Sequence, residues 1–174
     1  MAKYPDIQAK AAQEARQVSG FWNSETQSLT LDNVHQRLSF MYALVMETLR
    51  LFPTELYLLR STEQDIDLGE ETWVPAQMDV WIPVWHVHRN SKVWEDADNF
   101  QPERFRKFKG NERELQGRWI AFSGGLRNCP GMFLALAECV LILSGLLNHF
   151  EIRLDPQKPK EIELQAFGRN LRSK

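Results

Sequence analysis

Phe122-Ser-Gly-Gly-Leu-Arg-Asn-Cys-Pro-Gly131 is the stretch around which the rest of this 174-residue sequence is organised. Cys129 stands just ahead of an apolar helix whose first turn Pro130 is expected to open, because proline's fixed φ and missing N–H suit that position. Unsatisfied backbone N–H groups and the positive end of a helix dipole gather there, and both favour an anion. A thiolate is therefore the expected state of Cys129. Gly124, Gly125 and Gly131 leave room beside the sulfur, which suits a flat, bulky cofactor laid against the backbone. Arg127, two residues before the cysteine, adds a cationic fork for a carboxylate. The competing reading is a glycine-rich helix entry with a buried, inert cysteine, the commoner fate of a lone thiol. An aromatic, two glycines, an arginine and a further glycine at fixed offsets reverse that preference.

Downstream of the loop, the apolar run from Met132 to Leu147 is 16 residues, interrupted by Glu138 and Ser144. It falls short of the roughly 20 residues that a spanning helix needs. A buried core helix over 131–150 is expected, with Cys139 as a core residue and terminal strands over 151–170. Upstream, Lys92 to Trp119 mixes charge, aromatics and Pro102 without a sustained period, which predicts a long irregular segment, and such segments are more often functional than filler. Leu56 to Arg60 and Asp79 to His88 read as strands separated by polar turns such as Ser61 to Gly69, with Pro75 and Pro83 confining them to sheet edges. Val34, Leu38, Met41, Val45, Leu49 and Phe52 recur at helical steps and predict one helix from about Asp32 to Phe52, ended by Pro53. A first helix from Tyr4 to Val18 carries Ile7, Ala11, Ala15 and Val18 on one face, with Gly20 as its C-cap. The fold class that follows is mainly α with small β-sheets (α+β). It forms one unit over 1–174: a helix pair in 4–52, edge strands in 55–88, the irregular segment and cysteine loop in 92–131, the buried helix and the terminal strands.

Composition narrows the function. The chain is 43% apolar, enough for one core, and its 21 basic and 23 acidic residues leave a formal charge of -2. No field for holding a polyanion results, so nucleic acid is excluded as a partner. Two cysteines with no leader ahead of them read as reduced thiols facing the cytosol. Neither an anchor nor a spanning segment is visible in this chain.

Phe122, Gly125, Arg127, Cys129 and Gly131 fall in register with Phe-x-x-Gly-x-Arg-x-Cys-x-Gly, so the loop resembles the haem-binding loop of the cytochrome P450 family. The resemblance makes Cys129 the iron ligand and Arg127 a propionate partner, with Phe122, Gly125 and Gly131 around the cofactor. It gives Arg60 the place of a second propionate arginine; by itself Arg60 merely ends a strand. Glu47-Thr-Leu-Arg50 looks like the family's Glu-x-x-Arg helix, and Pro102-Glu-Arg-Phe105 like the segment whose arginine joins that pair. Taken alone, Glu47 and Arg50 would be an exposed pair worth roughly 0.2–0.5 kcal/mol. The likeness instead implies a buried Glu47–Arg50–Arg104 clamp. His88-Arg89, Trp94 and Phe100 continue the likeness, and Glu55, Leu56 and Leu58 resemble the stretch lining the substrate pocket. A solvated carboxylate at a strand start is an equal reading of Glu55. A zinc site from His86, His88, Cys129 and Cys139 has the wrong spacing. Arg106, Lys107, Lys109, Arg113 and Arg118 form a basic stretch, by default solvated and, by resemblance, a docking face for an acidic redox partner.

The resemblance implies an incomplete C-terminal part of the cytochrome P450 fold, of the eukaryotic microsomal type. It also implies haem b, an apolar small-molecule substrate, an NADPH-dependent reductase and the cytosolic face of the endoplasmic reticulum membrane. The activity implied is insertion of one oxygen atom from O2, with the Cys129 thiolate promoting O–O cleavage. The family's Ala/Gly-Gly-x-Asp/Glu-Thr stretch, which serves proton delivery, does not occur here, so the isolated chain is expected not to be a competent monooxygenase. Two other readings stand beside it: a haem-thiolate isomerase or dehydratase that rearranges peroxides, and a catalytically incomplete haem-binding fragment.

Overall fold

The computed structural model describes residues 1–18, 33–107, 115 and 117–157, together with the backbone of 164–167 and 170–173. Helix α1 (Pro5–Val18) turns Ala11, Ala15 and Val18 inward, and these small side chains let it lie close to its neighbours. After α2 (Val34–Arg37), helix α3 (Ser39–Leu51) buries residues on nearly all sides, from Phe40 and Met41 to Leu44, Val45 and Leu51, as expected of a central helix. Helix α6 (Met132–His149) adds Leu136, Ala137, Val140 and Leu147 to the same core. Each fully buried large aliphatic side chain there contributes about 1.5–3 kcal/mol.

The single helix expected over Asp32 to Phe52 is in fact two. Leu38 leaves helical geometry at φ -115° and ψ 51°, and α3 starts afresh at Ser39. The cause is a cap supplied from elsewhere in the chain. The Glu14 carboxylate of α1 accepts the N–H of Phe40 at 2.9 Å and that of Met41 at 2.8 Å. Two donors that a helix start leaves orphaned are satisfied in this way. Asp32 and the expected cap Gly20 lie outside the described residues.

Strand β1 (Leu58–Ser61) pairs antiparallel with β4 (Asp79–Ile82), setting Leu58 opposite Ile82 and Arg60 opposite Val80. Strand β2 (Ile66–Asp67) pairs with β3 (Trp73–Val74), and β5 (Leu164–Phe167) with β6 (Asn170–Ser173). Each sheet is a two-stranded ribbon, so every described strand is an edge, where proline is tolerated. The strand predicted to reach His88 stops at Ile82. Pro83 ends it, and Val84–Val87 forms a helical turn, α4, closed by His88 N–H on Val84 C=O at 3.0 Å. Likewise, the predicted turn from Ser61 to Gly69 holds the end of β1 and all of β2. Within the irregular segment a single helical turn forms, α5 (Glu103–Arg106).

The helix expected to be buried over 131–150 is buried on one side only. Leu136, Val140, Ser144 and Leu147 form the inner stripe against α1 and α3, while Phe133, Ile142 and Phe150 are each about two-thirds exposed. Cys139, expected in the core, sits on the exposed side. Apolar composition all round the helix concealed which face packs. By length and composition α6 would also serve to cross a membrane, but its inner stripe is occupied by this core.

Candidate active site

Glu47 and Arg50 lie one turn apart on α3, both wholly buried. Arg50 Nε donates to Glu47 Oε2 at 2.7 Å and Arg50 Nη2 to Oε1 at 2.9 Å, a bidentate pair. Arg104 Nε donates to the same Oε1 at 3.1 Å, and the Gln101 N–H joins it at 2.8 Å. The remaining guanidinium donors turn to backbone. Arg50 Nη1 reaches the carbonyls of His88 and Ala97, both at 2.6 Å, and Nη2 reaches that of Asn99 at 3.2 Å. Arg104 Nη1 donates to the Glu95 carbonyl at 2.9 Å and Nη2 to that of Asp96 at 3.3 Å. A segment without helix or strand has no ladder to take its carbonyls, and here two guanidinium groups do so, those of His88 and Ala97 being buried. The Trp94 ring lies 5.3 Å from the Arg50 guanidinium and 6.0 Å from that of Arg104, adding cation–π attraction.

From this cluster a file of rings runs to the cysteine loop. Centroids are 5.7 Å apart for Trp94 and Phe105, 6.2 Å for Phe105 and Trp119, and 5.9 Å for Trp119 and Phe122. Trp119 Nε1 donates to the Met46 carbonyl of α3 at 3.1 Å. His88, wholly buried, takes the Ile120 N–H on Nε2 at 2.8 Å and has Nδ1 3.0 Å from the Arg50 carbonyl. Burial pushes its pKa down to about 4, so the ring is neutral at neutral pH. On the other side, Arg60 Nη2 of β1 donates to the Ser123 hydroxyl.

The loop itself is exposed from Gly124 to Pro130 and closed by the Cys129 N–H on the Phe122 carbonyl at 2.9 Å. Gly125, at φ 67°, opens a 3-10 turn over Gly125–Arg127. A Cβ at Gly124 or Gly125 would meet no atom of the chain within 4 Å. Space beside the loop is therefore open, and the φ of Gly125 is the only backbone demand for glycine there. The helix entry differs from expectation. Pro130 and Gly131 form a turn closed by Met132 N–H on the Cys129 carbonyl at 3.3 Å, and α6 begins at Met132 with Gly131 as N-cap. Cys129 thus stands three residues ahead of the helix, and Pro130 lies outside its first turn.

Of the residues singled out in the sequence, the structure brings Glu47, Arg50 and Arg104 into contact and places Arg60 against the loop through Ser123. Phe122 and Gly131 are half-buried, and Arg127 and Cys129 are exposed. Glu55, Leu56 and Leu58 are half-buried at and just before the start of β1, where the Leu56 carbonyl accepts the Trp85 N–H at 3.2 Å. A cleft of about 900 Å³ lies between α3, α6 and the loop's Ser123 to Gly125, and none of Glu55, Leu56, Leu58 and Cys129 is on its walls. His86 and His88 sit on and just after a helical turn, not on a strand, and both ring nitrogens of His88 are engaged. Among the described residues no group of three or more His, Cys, Asp or Glu side chains is placed to hold a metal ion. Arg106, Lys107 and Arg118 are exposed, with Arg106 paired to Glu103 at 3.3 Å, while Lys109 and Arg113 lie outside the described residues. Sequence reasoning missed Glu14, Ser123 and the roles of Trp119 and His88. The signal available was the polar handle of a tryptophan and a histidine inside apolar context, which ask for partners.

The sequence profile of the cytochrome P450 family matches residues 1–172. The chain belongs to that family. Among its relatives, premnaspirodiene oxygenase of Hyoscyamus muticus is 36% identical over 170 residues, covering 94% of this chain and 32% of the relative. The 5-epiaristolochene 1,3-dihydroxylase of Nicotiana tabacum is 34% identical, covering 97% of this chain and 32% of the relative. Dolabradiene monooxygenase of Zea mays is 33% identical, covering 97% and 33%. The chain thus spans about a third of the length of these relatives. Its helices and small ribbons are a partial P450 fold, and family membership implies a haem cofactor. The residues present fit that group: an exposed soft sulfur donor, open space over Gly124 and Gly125, and two arginines at the loop.

Proposed function

We propose that this chain is the cysteine-ligand segment of a haem-thiolate monooxygenase that inserts one oxygen atom from O2 into an apolar organic molecule, with electrons from a reductase. The observation that carries the reading is an exposed Cys129 on a loop fastened to α3 through Trp119 and His88, and to β1 through Arg60. When bound, haem b would supply redox chemistry at its iron, and a thiolate ligand would raise the electron density available for oxygen activation. Cys129 would hold the iron through its sulfur. Arg127 and Arg60 would face the propionates, with Arg60 exchanging its Ser123 partner for a carboxylate. Phe122, Gly125 and Gly131 shape the backbone around the sulfur, and Glu47, Arg50 and Arg104 keep the preceding segment in place without touching the reaction.

Residues 1–174 act as one segment in this reading. Glu55, Leu56 and Leu58, next to the strand that reaches the loop, would contribute one wall for the substrate. An NADPH-dependent reductase would dock on the basic face that includes Arg106, Lys107 and Arg118, with a rate that falls as salt rises. The relatives' names, oxygenase, dihydroxylase and monooxygenase, favour oxygen insertion over peroxide rearrangement. The endoplasmic reticulum membrane, cytosolic face, is the proposed location.

The test is the spectrum of the haem-reconstituted, reduced and carbon-monoxide-bound chain. A red-shifted, thiolate-type Soret band that disappears in Cys129→Ser supports the reading. The same band persisting in Cys129→Ser would sink it. Turnover of a hydroperoxide with no electron donor would move the activity to the isomerase class.

A further inference from the structure

We infer that His88 is a positioning residue for the cysteine loop, a neutral imidazole fixed in one tautomer that pins the backbone of Ile120 to the C-terminal turn of α3. The inference rests on the reading of Cys129 as the ligand that this loop presents.

The tautomer follows from the partners. A backbone N–H only donates, so the Ile120 amide at 2.8 Å requires a lone pair on Nε2. The ring proton then sits on Nδ1 and donates to the Arg50 carbonyl at 3.0 Å. That carbonyl is among the last four of α3, which have no partner inside the helix. Both ring nitrogens are therefore committed, inside a site with no exposure to solvent.

The placement explains why this bond matters. Ile120 lies outside any helix or strand, and its neighbour Trp119 is already tied to the Met46 carbonyl. Met46 and Arg50 are one helical turn apart on α3, so two successive loop residues are fastened to two successive turns of one rigid helix. Two residues further on, the Phe122 carbonyl holds the Cys129 N–H at 2.9 Å. A shift of Ile120 thus reaches the backbone of Cys129 through one dipeptide step and one hydrogen bond.

The charged groups around the ring oppose its protonation. Arg50 of α3 holds the His88 carbonyl with its own Nη1, and Glu47 is shared between Arg50 and Arg104. Arg89 follows directly and lies 3.6 Å from Asp98. An imidazolium would set an Nε2–H against the Ile120 N–H and break the pin.

Two measurements on the full chain decide this. Nitrogen-15 NMR of the imidazole at neutral pH should show Nδ1 protonated and Nε2 bare; a protonated Nε2 overturns the inference. In His88→Phe, which keeps a ring and removes both bonds, amide exchange at Ile120 should accelerate at least roughly tenfold. In His88→Gln, whose Oε1 can accept from Ile120, it should return towards the native rate. The haem-loaded chain should show the same order in the fraction of thiolate-type carbon-monoxide spectrum, lowered severalfold in His88→Phe and recovered in His88→Gln. Unchanged exchange and spectrum in His88→Phe refute the role. If His88→Phe does not fold, His88→Gln must by itself keep Ile120 protected, and failure to do so overturns the pin. If the native chain binds no haem, the ligand reading fails while the ring and exchange measurements still decide the pin.

Discussion

Replacing Glu47 by glutamine keeps the size of the side chain and removes its charge, which isolates what the carboxylate does. In the native chain that carboxylate accepts four hydrogen bonds, at 2.7 and 2.9 Å from Arg50, 3.1 Å from Arg104 and 2.8 Å from the Gln101 amide. Glutamine offers one carbonyl oxygen to these donors and turns an NH2 group against the rest. Two guanidinium groups then remain in a buried site without their counter-charge. Charge-assisted hydrogen bonds contribute about 1.5–3 kcal/mol each when counted singly, but groups in one network are not additive. The relevant scale is the 3–5 kcal/mol typical of breaking a buried ion pair by removing one partner. Against a whole-domain stability of about 5–15 kcal/mol, that is roughly a fifth or more of what holds the chain folded. With a urea slope of about 2 kcal/mol per molar, the midpoint should fall by roughly 2 M. The loss should be local first, so amides around Ala97 to Gln101 should lose exchange protection before those of α1. Haem retention should fall in parallel, since the same segment leads into the cysteine loop. A Glu47→Gln chain within 1 kcal/mol of native stability that also retains haem would refute the clamp.

Stability should also depend on pH through His88. Its folded pKa of about 4 lies below the unfolded value of 6.5, so the unfolded chain takes up the proton first on acidification. This contribution is fully present above pH 6.5, declines as pH falls towards 4 at up to about 1.4 kcal/mol per unit, and is constant below. Urea titrations at several pH values should show that slope in the native chain and lose it in His88→Phe. Glu14→Gln should cost about 0.5–2 kcal/mol, the worth of a helix cap, measured by the same titration with the fluorescence of the chain's tryptophans as probe. Cys139 should react with a thiol reagent under native conditions, and Cys139→Ser should change stability by no more than about 0.5 kcal/mol; protection of that thiol in the isolated chain would contradict its exposed position on α6.

What could be read ahead of the structure was whatever is local in sequence. The cysteine loop was recognisable because its residues act through offsets of a few positions, and α1 because alanines and a valine repeat at helical steps. The break at Leu38 was not, because apolar spacing runs straight through it and its cause, Glu14, lies on another helix. The helical turn after Pro83 was concealed by Val84, Trp85 and Val87, whose composition suits a strand equally well. Cys139 reads as a core residue because α6 is apolar on nearly every side, and such a helix does not reveal which stripe packs. Glu47 and Arg50 alone would have passed for a surface pair. Only the family's pattern directed attention to Arg104, 54 residues beyond Arg50.

The tethers of the cysteine loop share one origin. Residues 46–51 of α3 present the Met46 carbonyl to Trp119, the Glu47 carboxylate to Arg104 and Gln101, the Arg50 carbonyl to His88 and the Leu51 carbonyl to Arg89 at 2.6 Å. A helix end ordinarily leaves its last carbonyls to water or to a local cap. Here side chains from distant segments take those of Arg50 and Leu51, so carbonyls that α3 could not satisfy by itself become anchors for a described segment with little helix or strand. The exposed loop needs little packing of its own because its approach is held by a buried helix. Its only described tie to β1 is the contact of Arg60 with Ser123, between two half-buried residues. The described anchors of the loop thus lie mostly behind the sulfur, on a buried helix, and the tie to β1 is a single side-chain contact.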